Sequence, residues 1–148
     1  VRVIIQRSLA SQVSVDQNVI GQIDSGLVLL VGFCHEDQLE DLAYCVRKIC
    51  QMRLFEDHEG KMNLSIRDVE GQILSISQFT LFANTAKGNR PSFTQAARFD
   101  QAKIWYDQFN QMLRAEGLEV ATGQFGGDMQ VQITNQGPVT IILDSKQK

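Results

Sequence analysis

The chain has 148 residues, 43% hydrophobic and 21% charged, enough apolar material for one globular core and unlike a disordered or collagen-like composition. No apolar run approaches the roughly 18 residues of a membrane-crossing helix. The formal net charge of −3 and pI of about 5.3 exclude a broadly basic surface, so a nucleic acid would have to be gripped at a short end by local charges and base contacts.

The opening residues alternate at once, without the charged-then-apolar layout of an export signal. Arg2 to Arg7 reads as a strand, and Gln12 to Val15 with Val19 to Ile23 as a hairpin-like pair. Asp24-Ser25-Gly26 is a turn signal. Leu27 to Phe33 is an unbroken apolar run, the pattern of a strand covered on both faces. Leu39, Leu42, Ala43, Val46, Ile49 and Cys50 then recur at helical spacing, with Glu40, Asp41, Arg47 and Lys48 on the other face, and the helix fades near Met52. Asp57 to Gly60 is a polar turn. Ile73 to Leu81 reads as a central strand, and Ala83 to Thr94, with Gly88, Asn89 and Pro91, as a loop.

A second helix from about Asp100 to Glu116 carries Ala102, Trp105, Phe109, Met112 and Leu113 on its apolar face and Gly117 as its stop. Gly123, Gly126 and Gly127 suit a bulge or tight bend. Met129, Val131 and Ile133 alternate with polar residues in a further strand. Asn135-Gln136-Gly137-Pro138 is a turn by default, Val139 to Leu143 a final strand, and 145–148 a frayed tail. Strands predominate, with two helices inserted among them. The pattern predicts one α/β domain over residues 1–148, with a curved mixed β-sheet, roll- or barrel-like, covered by two main helices.

The chemistry is narrowed first by what is missing. There is no phosphate-binding glycine loop and no dinucleotide fingerprint. Cys34, Cys45 and Cys50 have no metal-ligand spacing and read as small buried thiols of a reducing compartment, which points to the cytoplasm. His35 and His58 fall in polar turns, and no metal or cofactor site is predicted.

Two segments stand out. Ser77-Gln78-Phe79-Thr80 places two hydroxyls and an amide at the end of an apolar strand. Strand periodicity would put Ser77 and Phe79 on one face and Gln78 and Thr80 on the other. Either these groups are satisfied by backbone at an ordinary strand end, or they serve a site. Asn135-Gln136-Gly137-Pro138-Val139-Thr140 is either a plain turn or a main-chain device, because Gly137 and Pro138 have almost no side chain to contribute.

Together these segments resemble the D-aminoacyl-tRNA deacylase family, whose Ser-Gln-x-Thr and Asn-x-Gly-Pro-x-Thr motifs both stand intact here. The likeness extends in order through Ile5-Gln6-Arg7, Arg53-Leu54-Phe55, Gly60 to Leu64, Arg90-Pro91-Ser92-Phe93, Gly123-Gln124-Phe125 and Asp128-Met129. The resemblance implies hydrolysis of the ester between a D-amino acid and tRNA, and removal of glycine mischarged on tRNA(Ala). It implies a homodimer whose active sites lie at the interface and receive the acceptor end of aminoacyl-tRNA, with no membrane or DNA partner. By the same resemblance, Gly137-Pro138 is cis and reaches into the partner subunit's site, where its carbonyls capture the amino group and crowd an L side chain. Asn135 and Thr140 belong to that substrate-binding element, and Arg7 braces it. Ser77, Gln78, Phe79 and Thr80 are the catalytic segment, with backbone N–H groups near Phe79 and Thr80 for the oxyanion. Thr80 is either a nucleophile or, with no His or Lys nearby in sequence, a positioning group for an RNA-assisted reaction. Lys87, Arg90 and Arg98 either meet phosphates or are ordinary solvated charges. The rival readings are a non-catalytic RNA-binding module of the same fold and a hydrolase of non-tRNA esters.

Overall fold

The alternation of the first strand is the one the sheet uses. Along β1 (Arg2–Ser8), Val3 and Ile5 are buried while Arg2, Ile4 and Gln6 are half-exposed. The computed structural model describes residues 1–148. The remaining elements are β2 (Ser11–Val15), β3 (Asn18–Ile23), β4 (Gly26–Gly32), α1 (Leu39–Gln51), β5 (Phe55–Glu56), β6 (Met62–Leu64), β7 (Gln72–Ser77), α2 (Phe99–Ala115), β8 (Val120–Thr122), β9 (Gln130–Gln132) and β10 (Asn135–Asp144).

Five strands form a mixed sheet in the order β10-β1-β4-β7-β8. β1 is antiparallel to β10 and β4, whereas β4, β7 and β8 run parallel. Parallel neighbours need long crossovers. α1 lies in the first of these and α2 in the second. A separate antiparallel sheet, β3-β2-β9, packs on the other side of β4 and β7. The two sheets do not close into a barrel.

β4 is covered on both faces, as its unbroken apolar run predicts. Leu27, Leu29 and Val31 join the main core against α1 and α2, while Val28 joins Val13, Ile23, Leu74 and Ile76 between the sheets. The helices bury Leu42, Cys45, Val46, Ile49 and Cys50 from α1, and Ala102, Tyr106, Phe109 and Leu113 from α2. Two helix assignments shift. Leu39, expected inward, is 51% exposed, and Asp41, expected in solvent, is buried. Asp41 accepts hydrogen bonds from the Gln38 N–H and from Lys146 Nζ, each at 2.8 Å. It therefore ties the helix start to the chain beyond the last strand.

Four sequence expectations fail, each for a local reason. The strand expected to run to Leu81 ends at Ser77, and Phe79–Phe82 winds into a 3-10 turn. The predicted alternation of Ser77 to Thr80 between two faces therefore does not hold. β8 was unforeseen, because three residues between Gly117 and Gly123 carry too little pattern. No turn separates Asn135 from the last strand, since β10 is continuous and bulged. The tail is not frayed from its start. Ser145 is buried and its N–H bonds the Val1 carbonyl at 2.9 Å.

Candidate active site

The end of β7 is built by its neighbour. Ser77 pairs with Val31, and the Gln78 N–H continues the ladder to the Val31 carbonyl at 2.8 Å before the chain tightens into the 3-10 turn. Phe79 and Thr80 occupy the first positions of that turn, where backbone N–H groups have no carbonyl partner within the turn itself. The side chains of Phe79 and Thr80 are exposed, while Ser77 and Gln78 are half-buried. Gln78 Nε2 donates to Thr80 Oγ1. The threonine hydroxyl is thus held by an amide donor, not by a base.

Ser77, Gln78 and Phe79 line a cleft of about 640 Å³. Its other walls come from Phe93 to Phe99 and from Phe125 to Met129, with Phe33, Ile76 and Val131 at the floor and side. Five of the chain's eight phenylalanines line it. Two edge-to-face pairs brace the mouth, Phe79–Phe93 and Phe99–Phe125, each with centroids 5.0 Å apart. Gly126 sits there with φ +72°, and a Cβ would come within 2.6 Å of the Phe99 ring. Both the bend and the close ring therefore favour glycine. Asp128 is the one ionisable side chain among the lining residues. Neither histidine lines the cleft, and both are exposed. No cluster of metal-ligating residues is present.

The second motif is a protrusion on the edge strand. β10 pairs Thr140 with Gln6 and Asn135 with Ser8, so residues 136–139 bulge out opposite Arg7 alone. The Gly137-Pro138 peptide is cis, and both residues are exposed. Gly137 has φ +118°, and a Cβ would lie 2.7 Å from the Val139 nitrogen, so this backbone path needs glycine. Asn135 closes the base of the bulge. Its Nδ2 donates to the carbonyls of Arg7 (2.9 Å) and Val139 (3.0 Å), while its Oδ1 accepts from Gln6 Nε2 (3.0 Å) and Thr140 Oγ1 (3.1 Å). That uses the full capacity of the amide and leaves it nothing for a ligand. Arg7 is buried beneath the bulge. Its Nη1 donates to the Leu54 carbonyl at 2.9 Å, Glu56 lies 3.7 Å from Nη2, and Nε has no partner.

Within one chain the two motifs do not meet. β1 and β4 separate β10 from β7, about 14 Å across at ordinary strand spacing. The register sets Thr140 level with Leu74 and Leu143 level with Ser77, so the bulge is also offset by about 10 Å along the strands. Sequence reasoning found both motifs but not the cleft walls. Phe93, Phe99, Phe125 and Met129 come from segments that only the fold brings together.

The three thiols take no part in either motif. All are buried and unpaired, and burial pushes Cys45 up to about 12. No helix is long and apolar enough to cross a membrane.

The sequence model of a family described as D-Tyr-tRNA(Tyr) deacylase matches residues 4–144. The chain is also similar to a solved structure described as c-Myc DNA unwinding element binding protein, with 39% identity, a TM-score of 0.92, and coverage of 97% of this chain and 98% of that one. A second, described as a probable eukaryotic D-amino acid tRNA deacylase, is 20% identical with a TM-score of 0.84 over 97% of this chain and 98% of that one, a likeness of fold.

Proposed function

This chain belongs to the D-Tyr-tRNA(Tyr) deacylase family, hydrolases of D-aminoacyl-tRNA, and from that premise we propose how its own residues carry out the reaction. Two copies form a homodimer in which the bulge of one protomer enters the cleft of the other. The observation that carries this reading is the separation of the two motifs within one chain. An exposed, braced protrusion without side-chain chemistry and an open, mostly apolar cleft with Asp128 as its one ionisable lining group lie too far apart to act together within one protomer. The apolar edge beside the bulge, where Ile142 is 72% exposed, supplies surface for the contact.

In the assembled site, main-chain carbonyls of Gly137 and Pro138 accept hydrogen bonds from the substrate amino group and leave no room for an L side chain. Asn135, Thr140 and Arg7 hold the bulge rather than touch substrate. Glycine, with no side chain to exclude, passes the filter, so glycine mischarged on tRNA(Ala) is a second substrate. The ester carbonyl rests against the turn at Phe79 and Thr80, whose N–H groups stabilise the oxyanion. Ser77 and Gln78 line and orient the substrate. Thr80 positions the ester, and the terminal ribose 2′-hydroxyl assists the attacking water, because no side-chain base reaches the threonine. Water adds to the carbonyl carbon, the ester C–O bond breaks, and the ribose oxygen leaves with a proton. The three unpaired thiols fit work in the cytoplasm.

The test is hydrolysis of D-tyrosyl-tRNA beside L-tyrosyl-tRNA, followed by mixing two impaired variants. Release of only the D-amino acid is expected. Gln78→Ala/Thr80→Ala and Pro138→Ala proteins, each deficient alone, should regain activity when unfolded and refolded together, since one mixed site then holds both intact elements. No recovery would sink the shared site. Release of both amino acids would remove the chiral filter, and release of neither would favour a binding role such as the one named for the 39%-identical relative.

A further inference from the structure

Acidic residues are absent from one stretch of this acidic chain. Between Glu70 and Asp100 there is no Asp or Glu, while Lys87, Arg90 and Arg98 fall there. Outside it, eleven of the fourteen cationic residues face all seventeen acids. That stretch contains the end of β7, the 3-10 turn and one wall of the cleft.

The fold turns this bias into a surface. Asn84 and Ser92 exchange backbone hydrogen bonds at 2.8 and 2.9 Å, closing a short hairpin-like loop with exposed Lys87 and Arg90. The next residue, Phe93, packs on Phe79 and lines the cleft. Arg98 stands between Ala97 and Phe99, both lining residues, and starts α2. Arg2, Arg7, Lys61, Arg67, Lys103 and Lys146 each have a carboxylate within 4.0 Å. Lys87 and Arg90 have none, and Arg98 has only Asp100 at 3.9 Å with both side chains in solvent. Of the other cations without a carboxylate, Arg47, Lys48 and Lys148 lie over the ring of Tyr44 on α1.

We propose that the rim carrying Lys87, Arg90 and Arg98 docks the single-stranded phosphodiester backbone of the RNA leading to the ester in the cleft. This rests on the deacylase reading, because that reading puts an RNA 3′ end in the cleft. Cations at the mouth meet the phosphates of the preceding nucleotides without reading bases, and the absence of acidic residues from 71–99 spares phosphates beside Lys87 and Arg90 repulsion. Only a few contacts form, which reconciles RNA binding with a net charge of −3.

The test compares wild type with Lys87→Glu/Arg90→Glu, two residues outside the cleft lining. Affinity for uncharged tRNA is followed by fluorescence anisotropy across KCl concentrations. Kinetics are measured on D-tyrosyl-tRNA and on D-tyrosyl-adenosine, which carries no upstream phosphate. We expect Kd for tRNA and KM for D-tyrosyl-tRNA to rise about tenfold or more, with kcat unchanged and the salt dependence flatter by about 1.4, near 0.7 for each lost contact. Hydrolysis of D-tyrosyl-adenosine should be unchanged. Unaltered tRNA affinity and salt slope would overturn the proposal, as would equal damage to both substrates. Failure of wild type to hydrolyse either ester would remove the deacylase reading, while the binding arm still decides whether the rim holds RNA.

Discussion

Thr80 has the one side-chain hydroxyl at the exposed end of the Ser77-Gln78-Phe79-Thr80 segment, and its partner is an amide N–H. A nucleophilic threonine needs a neighbour that accepts its proton, and Gln78 Nε2 is a donor in this arrangement. Thr80→Ala should therefore lower kcat on D-tyrosyl-tRNA by about tenfold or less, the cost of a lost positioning contact. Loss approaching the roughly millionfold scale seen on removing a covalent nucleophile would restore the rival role. At this scale the sequence was informative but incomplete. Two hydroxyls and an amide closing an apolar strand were visible in Ser77, Gln78 and Thr80. The hydrogen bond between Gln78 and Thr80 was not, because alternation sets neighbours two apart on one face only while the chain stays extended.

The Gly-Pro protrusion is an element held by side chains behind it. Asn135 joins both ends of the bulge to β1, and no other side chain makes all four of those hydrogen bonds. Asn135→Ala should remove the amide donors to the Arg7 and Val139 carbonyls, leave Gln6 and Thr140 only their longer contacts of 3.5 and 3.4 Å, and let residues 136–139 wander. The expected outcome is a higher KM for D-tyrosyl-tRNA and faster release of L-amino acid, with Tm lowered modestly, by an amount consistent with about 1–3 kcal/mol for half-buried polar groups left unmet. A fall in Tm with unchanged chirality would reduce Asn135 to a structural residue. Elements with long, regular patterns were legible: β1, the β2–β3 pair, β4 and both helices. β8, the turn at Phe79 and the bulge in β10 were not. Each is set by pairing with a distant strand, as Ile73 pairs with Val120 and Gln6 with Thr140.

At the scale of the molecule, the chain after β10 is tied back to the first helix. Burial works to raise Asp41, but hydrogen bonds from Lys146 and the Gln38 N–H outweigh it and bring its pKa down to about 2 from the usual 3.8. A carboxylate lowered on folding adds stability that is fully present above about 3.8 and is lost as pH falls through about 2. The Tm gap between wild type and Asp41→Asn should therefore be constant above pH 4 and narrow between about 4 and 2. A gap independent of pH over that range would show that the carboxylate contributes by shape alone. Seven of the ten strands were readable in outline, and so was the mixed α/β class, whereas the short β5, β6 and β8 and the order of strands in the sheet were not. The division of the layered strands into a five-stranded and a three-stranded sheet was not, since nothing local tells Gln12 that its partner is Gln132.

The place of β10 in the sheet has a further consequence for how the protein is made. β10 is the last of the ten strands to leave the ribosome, yet it pairs with β1, the first. Until it arrives, β1 holds β4 on one side and nothing on the other. The nascent chain can complete its cleft walls while the protrusion is still unbuilt, so a copy without β10 lacks the element proposed to enter a neighbour's cleft. The pairing of copies proposed above therefore waits until β10 has joined the sheet, which spares identical partial chains on one polysome from premature association.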